Sequence, residues 1–347
     1  MRIGFIPAGA LILSTLWAPA AASALPAPAS QTLWISDDVN TTIYHVKLDG
    51  TVLSSFASGS ISELALGTGA DAGTLWAAKE GSNLIVHFDQ SGQTLSSFPG
   101  TAYDPAAISP EGVAVDFADG TLWIVDDVTD LVYHVEDDGT PLGSFSAQDF
   151  DPAATSPQGI ACDPTDGTLW IADNVTHRVY NLTTDGTLLS SFPASAFGPV
   201  TLNLQGISVD ETDRSLWLTA RNTHLIYHVS RAGVLQSTLD ASVFGSLDPT
   251  GVAVQLHAPM TFTGLVEAID AGLQDALITP GGAKKLTHAV RQAQKQFEKA
   301  HPAATMAILE GFQEQVYGLM LAGDVDEGFG RELLAGADSL LEAVAGG

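Results

Sequence analysis

The sequence predicts an all-β five-bladed β-propeller of four-stranded blades, followed by a small all-α helical bundle. Three observations carry that expectation: a Thr/Ser-Leu-Trp triplet that recurs five times, a pattern of short strands repeated between the recurrences, and an abrupt change of composition after Pro259.

The triplet appears as Thr32-Leu33-Trp34, Thr74-Leu75-Trp76, Thr121-Leu122-Trp123, Thr168-Leu169-Trp170 and Ser215-Leu216-Trp217, at spacings of 42, 47, 47 and 47 residues. Each repeat runs through four short β-branched or aromatic pieces. The third shows them most clearly: Gly112–Asp116, Thr121–Asp126, Leu131–Val135 and Thr140–Phe145, separated by turns such as Asp138-Gly139. Four antiparallel strands with a period in the mid-forties describe a propeller blade. No Gly-Val-Ala-Val strand precedes Thr32, yet one stands unpaired at Gly251-Val252-Ala253-Val254. The strand at 251–255 is therefore expected to close the ring as the innermost strand of the first blade.

Ahead of the repeats, residues 1–24 read as a secretory signal: Arg2, an apolar stretch from Ile3 to Ala20, then Ala22-Ser23-Ala24 in the small-x-small form of a cleavage site. A Pro/Ala leader, 25–31, leads into the propeller at 32–257. No later apolar run is long enough to span a bilayer. The expected location is secreted or periplasmic. A single cysteine, Cys162, excludes an internal disulfide, and it reads as a buried apolar residue. The chain holds 13 Lys+Arg against 40 Asp+Glu, a net charge of −27, and 28 of the acids lie between residues 31 and 259. Such a field repels phosphate backbones and excludes nucleic acid as a partner. It is compatible with an extracellular small molecule, a glycan or a protein, and it favours cations.

Residues 260–347 form the second domain. Leu265, Ile269, Leu273 and Met306, Leu309, Phe312, Val316, Leu319 recur at helical spacing, and Pro280-Gly281-Gly282, His301-Pro302 and Gly323-Asp324 break the pattern. Four helices near 262–278, 283–300, 303–322 and 326–344 with short connections describe an up-and-down bundle. Lys284, Lys285, Arg291, Lys295 and Lys299 make the second helix the basic strip of the chain, either a solvated face or a docking surface.

The repeats place candidate site residues at one mouth of the central channel. Just before the inner strands stand Glu63, Glu111, Gln158, Gln205 and Thr250, mostly oxygen donors of the kind that hold Ca²⁺ or another divalent cation. Glu63, Glu111, Gln158 and Gln205 are the candidate metal ligands. A second ring follows the Trp strands, with Asp37, Asp126 and Asp173 as candidate ligand-binding residues and Lys79 and Ala220 in the other two copies. Asp and Asn at such places also make local turns to the backbone. The five Trp read as packing between blades. His45, His87, His134 and His228, with Asn181 in the remaining copy, read as hydrogen-bonded structural residues.

The run Pro110-Glu111-Gly112-Val113-Ala114-Val115-Asp116, followed by Gly120-Thr121-Leu122-Trp123-Ile124-Val125-Asp126, resembles NHL-type repeats and the wider group of the gluconolactonase/senescence-marker family and streptogramin lyase. The resemblance covers residues 32–255. It implies a divalent metal held by Glu, Asn and Asp at the starts of inner strands, with Glu63 or Glu111 at the Glu position and Gln158 and Gln205 where that family has Asn or Asp. The chain departs from the family in having five blades rather than six. The tail is similar to the FIMAH helical domain through Phe312-Gln313-Glu314-Gln315-Val316, Gly323-Asp324-Val325 and Leu333–Leu341, with Gln313 where that family more often has Ile. The resemblance implies an accessory module.

No Gly-x-Ser-x-Gly, His-Glu-x-x-His, phosphate loop or paired cysteines occur in the chain. Three functions fit: an extracellular binding or scaffold protein, a cation-dependent hydrolase or lyase of lactonase or esterase type at the channel mouth, and a structural envelope protein.

Overall fold

The computed structural model describes residues 30–67, 73–221, 223–257, 262–274, 276–299 and 301–346. The expected signal peptide lies outside the described residues. Five four-stranded antiparallel sheets make up the propeller. Blade 1 contains β1 (Ser30–Asp37), β2 (Thr42–Lys47) and β3 (Val52–Ala57). Blade 2 contains β4 (Glu63–Leu66), β5 (Leu75–Lys79), β6 (Leu84–Phe88) and β7 (Thr94–Pro99). Blade 3 contains β8 (Pro110–Val115), β9 (Leu122–Asp126), β10 (Leu131–Val135) and β11 (Pro141–Ser146), and a short helix, α1 (Ala147–Phe150), leads out of it. Blade 4 contains β12 (Pro157–Cys162), β13 (Leu169–Asp173), β14 (Arg178–Leu182) and β15 (Leu188–Pro193). Blade 5 contains β16 (Leu204–Val209), β17 (Leu216–Ala220), β18 (Leu225–Val229) and β19 (Leu235–Asp240).

The last strand, β20 (Pro249–His257), pairs with β1 from Ser30↔His257 to Asp37↔Pro249 and completes blade 1 from the far end of the chain. This closure is the one expected, and it gives blade 1 its fourth strand by covering the edge of β1.

Each Trp is buried against the following blade. Trp34 packs with Ile61, Leu64 and Leu75 of blade 2, Trp76 with Val113 and Leu122 of blade 3, and Trp123 with Ile160 and Leu169 of blade 4. Trp170 packs with Ile207 and Leu216 of blade 5, and Trp217 with Leu33 and Val252 of blade 1. The large rings thus fill the wedge that opens between neighbouring twisted sheets.

The helical domain consists of α2 (Phe262–Gln274), α3 (Pro280–Phe297), α4 (Pro302–Ala322) and α5 (Glu327–Gly346). Leu265, Ile269, Leu286, Val290, Leu309, Phe312, Val316 and Leu333 meet in its core. The turns before α3 and before α5 pair with each other: Ile278 bridges Val325, the Thr279 amide donates to Asp324 O at 2.8 Å, and the Asp326 amide donates to Leu277 O at 2.7 Å. No described helix is long and apolar enough to cross a membrane. An ion pair joins the bundle to blade 1, Lys47 Nζ to Asp338 Oδ2 at 2.8 Å, and Gln313 Nε2 donates to the other oxygen of that carboxylate at 2.7 Å.

Candidate functional site

The inner strands of blades 1, 3, 4 and 5 begin with a bulge. Pro110 pairs with Asp126 and Gly112 with Val125, so Glu111 is the extra residue; Gln158 stands in the same place between Pro157 and Gly159. A bulge turns its extra residue away from the regular alternation. The glycine that follows is needed because the inner strands converge. A methyl group on Gly159 would lie 2.1 Å from Gln205 O, and one on Gly112 2.5 Å from Gln158 O.

Blade 2 breaks the pattern, and this moves Glu63 out of the ring in which the sequence reading placed it. Ala65 pairs with Trp76 as Ala114 pairs with Trp123, so Glu63 is the counterpart of Gly112, and Ser62 is the counterpart of Glu111. Four glycines leave space at the axis, and the one Glu fills it. Its carboxyl is fully buried and accepts from three backbone amides: Leu64 at 3.0 Å, Ile207 at 2.9 Å and Val252 at 3.2 Å. Burial pushes its pKa well above 4.5, against the pull of those three donors. Glu63 therefore ties blades 2, 5 and 1 together across the axis. Below it, Val115, Phe117, Cys162, Val209 and Val254 are among the residues lining a cavity of about 40 Å³ at the other end of the channel. Burial drives the Cys162 thiol up to about 12, which keeps it neutral.

The second ring is also saturated internally. Asp37, Asp126 and Asp173 are at most 1% exposed. Asp126 accepts from the amides of Ser109 (2.8 Å), Val128 (3.1 Å) and Thr129 (2.9 Å). Asp173 does the same with Ser156 (2.9 Å) and Thr176 (2.7 Å), and Asp37 with Leu247 (2.6 Å) and Asp248 (2.8 Å). Each carboxylate clasps the turn after its own strand to the loop that enters the inner strand. In blade 2 the same job falls to Lys79, whose Nζ donates to Ser58 O at 2.7 Å. These three aspartates, expected as ligand contacts, hold the loops that present the site.

Glu111, Gln158 and Gln205 remain at the mouth, and the structure brings the two glutamines into contact. Gln205 Nε2 donates to Gln158 Oε1 at 2.9 Å. A residue two positions earlier pins each one: Ser109 Oγ donates to Glu111 Oε1 (3.3 Å), Gln158 Nε2 to Ser156 Oγ (3.0 Å), and Gln205 Nε2 to Asn203 Oδ1 (3.2 Å). The pinning residues recur at one place in the repeat, a signal the sequence carried and the reading of it passed over. Thr250 is buried and turned inward, its hydroxyl donating to Ile61 O at 2.6 Å.

The mouth has two unlike sides. Toward blades 5 and 1 it is closed by Arg221, which reaches Asp38 at 2.5 Å and Asp248 at 3.5 Å. Toward blades 3 and 4 stand Glu111, Asp127, Gln158 and Asn174. Partial burial raises the Asp127 pKa; hydrogen bonds from Ser109 and Gln158 pull it down, and the Asp126 charge adds to the rise. Asn174 holds on blade 4 the place of Asp127 on blade 3, and its buried Oδ1 has no hydrogen-bond partner. Ile108, Val128 and Val175 flank this side and are more than half exposed.

At the opposite, lower edge of the blades the repeated histidines are structural. His45, His87, His134 and His228 stack on Trp34, Trp76, Trp123 and Trp217 at 4.1–4.2 Å between ring centroids. Each Nε2 also bonds the Thr or Ser that begins the triplet, at 2.5–2.7 Å.

No protein-family model matches the chain, and no curated protein resembles it in sequence. Solved structures align with part of it. A structure of a nidogen/laminin complex superposes with a TM-score of 0.46 at 17% identity, covering 65% of this chain and 98% of that one. Virginiamycin B lyase from Staphylococcus aureus, solved with quinupristin, superposes at 0.41 with 16% identity, over 67% and 78% of the two chains. A protein of unknown function from Bacteroides caccae gives 0.40 at 13% identity, over 61% and 74%.

Proposed function

We propose that the chain is an exported binding protein whose propeller takes up a donor-rich extracellular ligand, a glycan, amine or peptide, on the blade 3 and blade 4 side of the upper mouth. The reading includes a role for the bundle as an accessory module, following the FIMAH resemblance. The observation that carries it is the buried, unpartnered Asn174 Oδ1 on a rim that also presents Glu111, Asp127 and Gln158. A buried acceptor without a donor costs on the order of 1–3 kcal/mol, and a ligand hydroxyl or ammonium would remove that cost. Ile108, Val128 and Val175 supply an aliphatic flank for the carbon skeleton of such a ligand.

A second reading, a cation-dependent hydrolase or lyase, is favoured by the partly buried Asp127 carboxyl at the mouth, whose pKa is raised by burial in the direction a general acid or base requires. The NHL and gluconolactonase resemblance adds a divalent cation to it. Of the ligands expected from sequence, Glu111 fits such an ion best, with Asp127 beside it in the chain of bonds through Ser109. Glu63 does not fit, because its oxygens face backbone donors.

Thermal melts test both readings, since a ligand that binds only the folded state raises its stability. A panel of sugars and amines is expected to raise the melting temperature of the native protein and to lose that effect in Asn174→Ala and Asp127→Asn. A shift with Ca²⁺, Mg²⁺, Mn²⁺ or Zn²⁺ that disappears in Glu111→Ala would favour the metal-dependent enzyme. No shift with any cation ends that second reading.

A further inference from the structure

Blades 3 and 4 have the same lower edge and use it differently. On blade 4, Arg214 reaches Asp163 Oδ2 through Nε at 3.1 Å and Nη2 at 2.7 Å, and it also bonds Asp166. Arg231 bonds Asp163 as well, and its guanidinium carbon lies 4.9 Å from the Trp170 ring centroid, where Asn181 stands in place of the stacked histidine. Both arginines come from the following blade. The same device recurs elsewhere: Asp210 of blade 5 accepts from Gln31 of blade 1 at 2.7 Å, and Gln255 of blade 1 faces Gln90 of blade 2 at 3.5 Å.

Blade 3 carries the acid pair without that donor. Asp116, Asp119 and His134 bring ligand atoms within 4.8 Å of one another. The following blade, however, has Gly167 and Thr184 at the positions equivalent to Arg214 and Arg231. Glu136, Asp137 and Asp138 extend the same edge and are exposed. None of these five acids is in an ion pair among the described residues. Blade 4 shows in the same molecule what this edge accepts, a guanidinium.

The propeller has no base to spare for it. Its six, Lys47, Lys79, Arg178, Arg214, Arg221 and Arg231, all bond groups of the folded chain. Among the described residues, Lys284, Arg291 and Lys295 of α3 are exposed lysine and arginine side chains in no ion pair, and with the exposed His288 they follow i, i+4, i+7, i+11 spacing, which aligns them in one stripe. Phe297 is exposed near its end, as Phe117 is on the blade 3 edge.

We propose that α3 of one copy docks on the lower edge of blade 3 of a second copy, with Arg291 and its lysine neighbours placed as Arg214 and Arg231 are on blade 4. The two surfaces differ, so the contact is head-to-tail, and it repeats from copy to copy. Two chains of net charge −27 repel at long range. At a Debye length of about 8 Å, in about 0.15 M salt, only charges within the contact count. Association is therefore strongest at intermediate ionic strength and falls off both in dilute buffer and in high salt.

Sedimentation velocity on a dilution series of the full chain at about 0.15 M salt tests this. The weight-average sedimentation coefficient is expected to rise with concentration. The rise disappears in Arg291→Glu/Lys295→Glu and in Glu136→Lys/Asp137→Lys, and it returns in the chain carrying all four substitutions. These side chains are exposed, and unchanged melting temperatures confirm that each variant is folded. A sedimentation coefficient independent of concentration in the native chain overturns the proposal, even if α3 retains the protein on a polyanion column. Association that survives either charge reversal, or a folded four-substitution chain that stays monomeric, overturns it equally.

Discussion

The propeller and the helical bundle solve the same packing problem with different chemistry. The propeller buries Asp37, Asp126, Asp173, Glu63, Glu111, Gln158, Gln205 and further polar residues, whereas Thr305 is the buried polar side chain of the bundle among the described residues. Thr305 bonds His301 O one turn away at 3.0 Å. A helix satisfies its own backbone, so a bundle core is free to be aliphatic. Converging blades leave loop amides with no strand to pair with, and buried amides need acceptors. The propeller supplies them as carboxylates, and its stability is correspondingly sensitive to acid and to the loss of single side chains.

That contrast can be tested because all the tryptophans from Trp34 onward lie in the propeller. Tryptophan fluorescence then follows the propeller, and helical circular dichroism follows the bundle. The largest effect is expected from Phe312→Ala in the bundle core, a loss of about 3–5 kcal/mol in the helical transition with the fluorescence transition unmoved. Asp126→Ala is expected to do the reverse. It removes the acceptor of the part-buried amides of Ser109, Val128 and Thr129, and the propeller is expected to lose about 1–3 kcal/mol while the bundle does not.

Acid should separate the two domains further. The Asp163 pKa lies below 3.8 because hydrogen bonds from Arg214, Thr165 and Arg231 outweigh its burial, and that of Asp166 because bonds from Thr168 and Arg214 outweigh its own. A carboxylate with a depressed folded pKa contributes stability above its unfolded value, and that contribution is lost as pH falls through the folded one. The fluorescence transition is therefore expected to weaken below pH 3.8 before the helical signal does. Glu63 carries the opposite sign. Its raised pKa contributes stability below 4.5 that is lost as pH climbs toward the folded value. Denaturation of Glu63→Gln at several pH values should lack that particular decline.

Two smaller effects sharpen the comparison. Tyr103 has a buried hydroxyl with no hydrogen-bond partner where three of the other four connections place Phe150, Phe197 and Phe244. Tyr103→Phe is expected to stabilise the propeller by about 1 kcal/mol in urea denaturation. Lys47→Ala removes a partly exposed ion pair worth under about 1 kcal/mol. Its readout is the gap between the fluorescence and helical midpoints, which should widen.

Much of this architecture was legible in the chain itself, because its causes are local and repeated. A period near 47 residues, one Trp per repeat and a leftover Gly-Val-Ala-Val strand determine the blade count, the inter-blade packing and the way the ring closes. The break at Pro259 and the helical spacing beyond it determine the second domain. The site resisted the same reading because its physics depends on which atoms face each other across the axis. Glu63 looked like a member of the Glu111 ring because both precede an inner strand, but blade 2 has no bulge, and one residue of register changes a rim ligand into an axial plug. Asp37, Asp126 and Asp173 looked available because their partners are amides, which every residue but proline carries and no motif records. The pairing of Asp163 with Arg214 and Arg231 spans 51 and 68 residues, and only the packing of blade 5 against blade 4 brings those side chains together. Repetition along the chain determined the scaffold; convergence of unlike residues at the axis and between blades was decided by the tertiary structure alone.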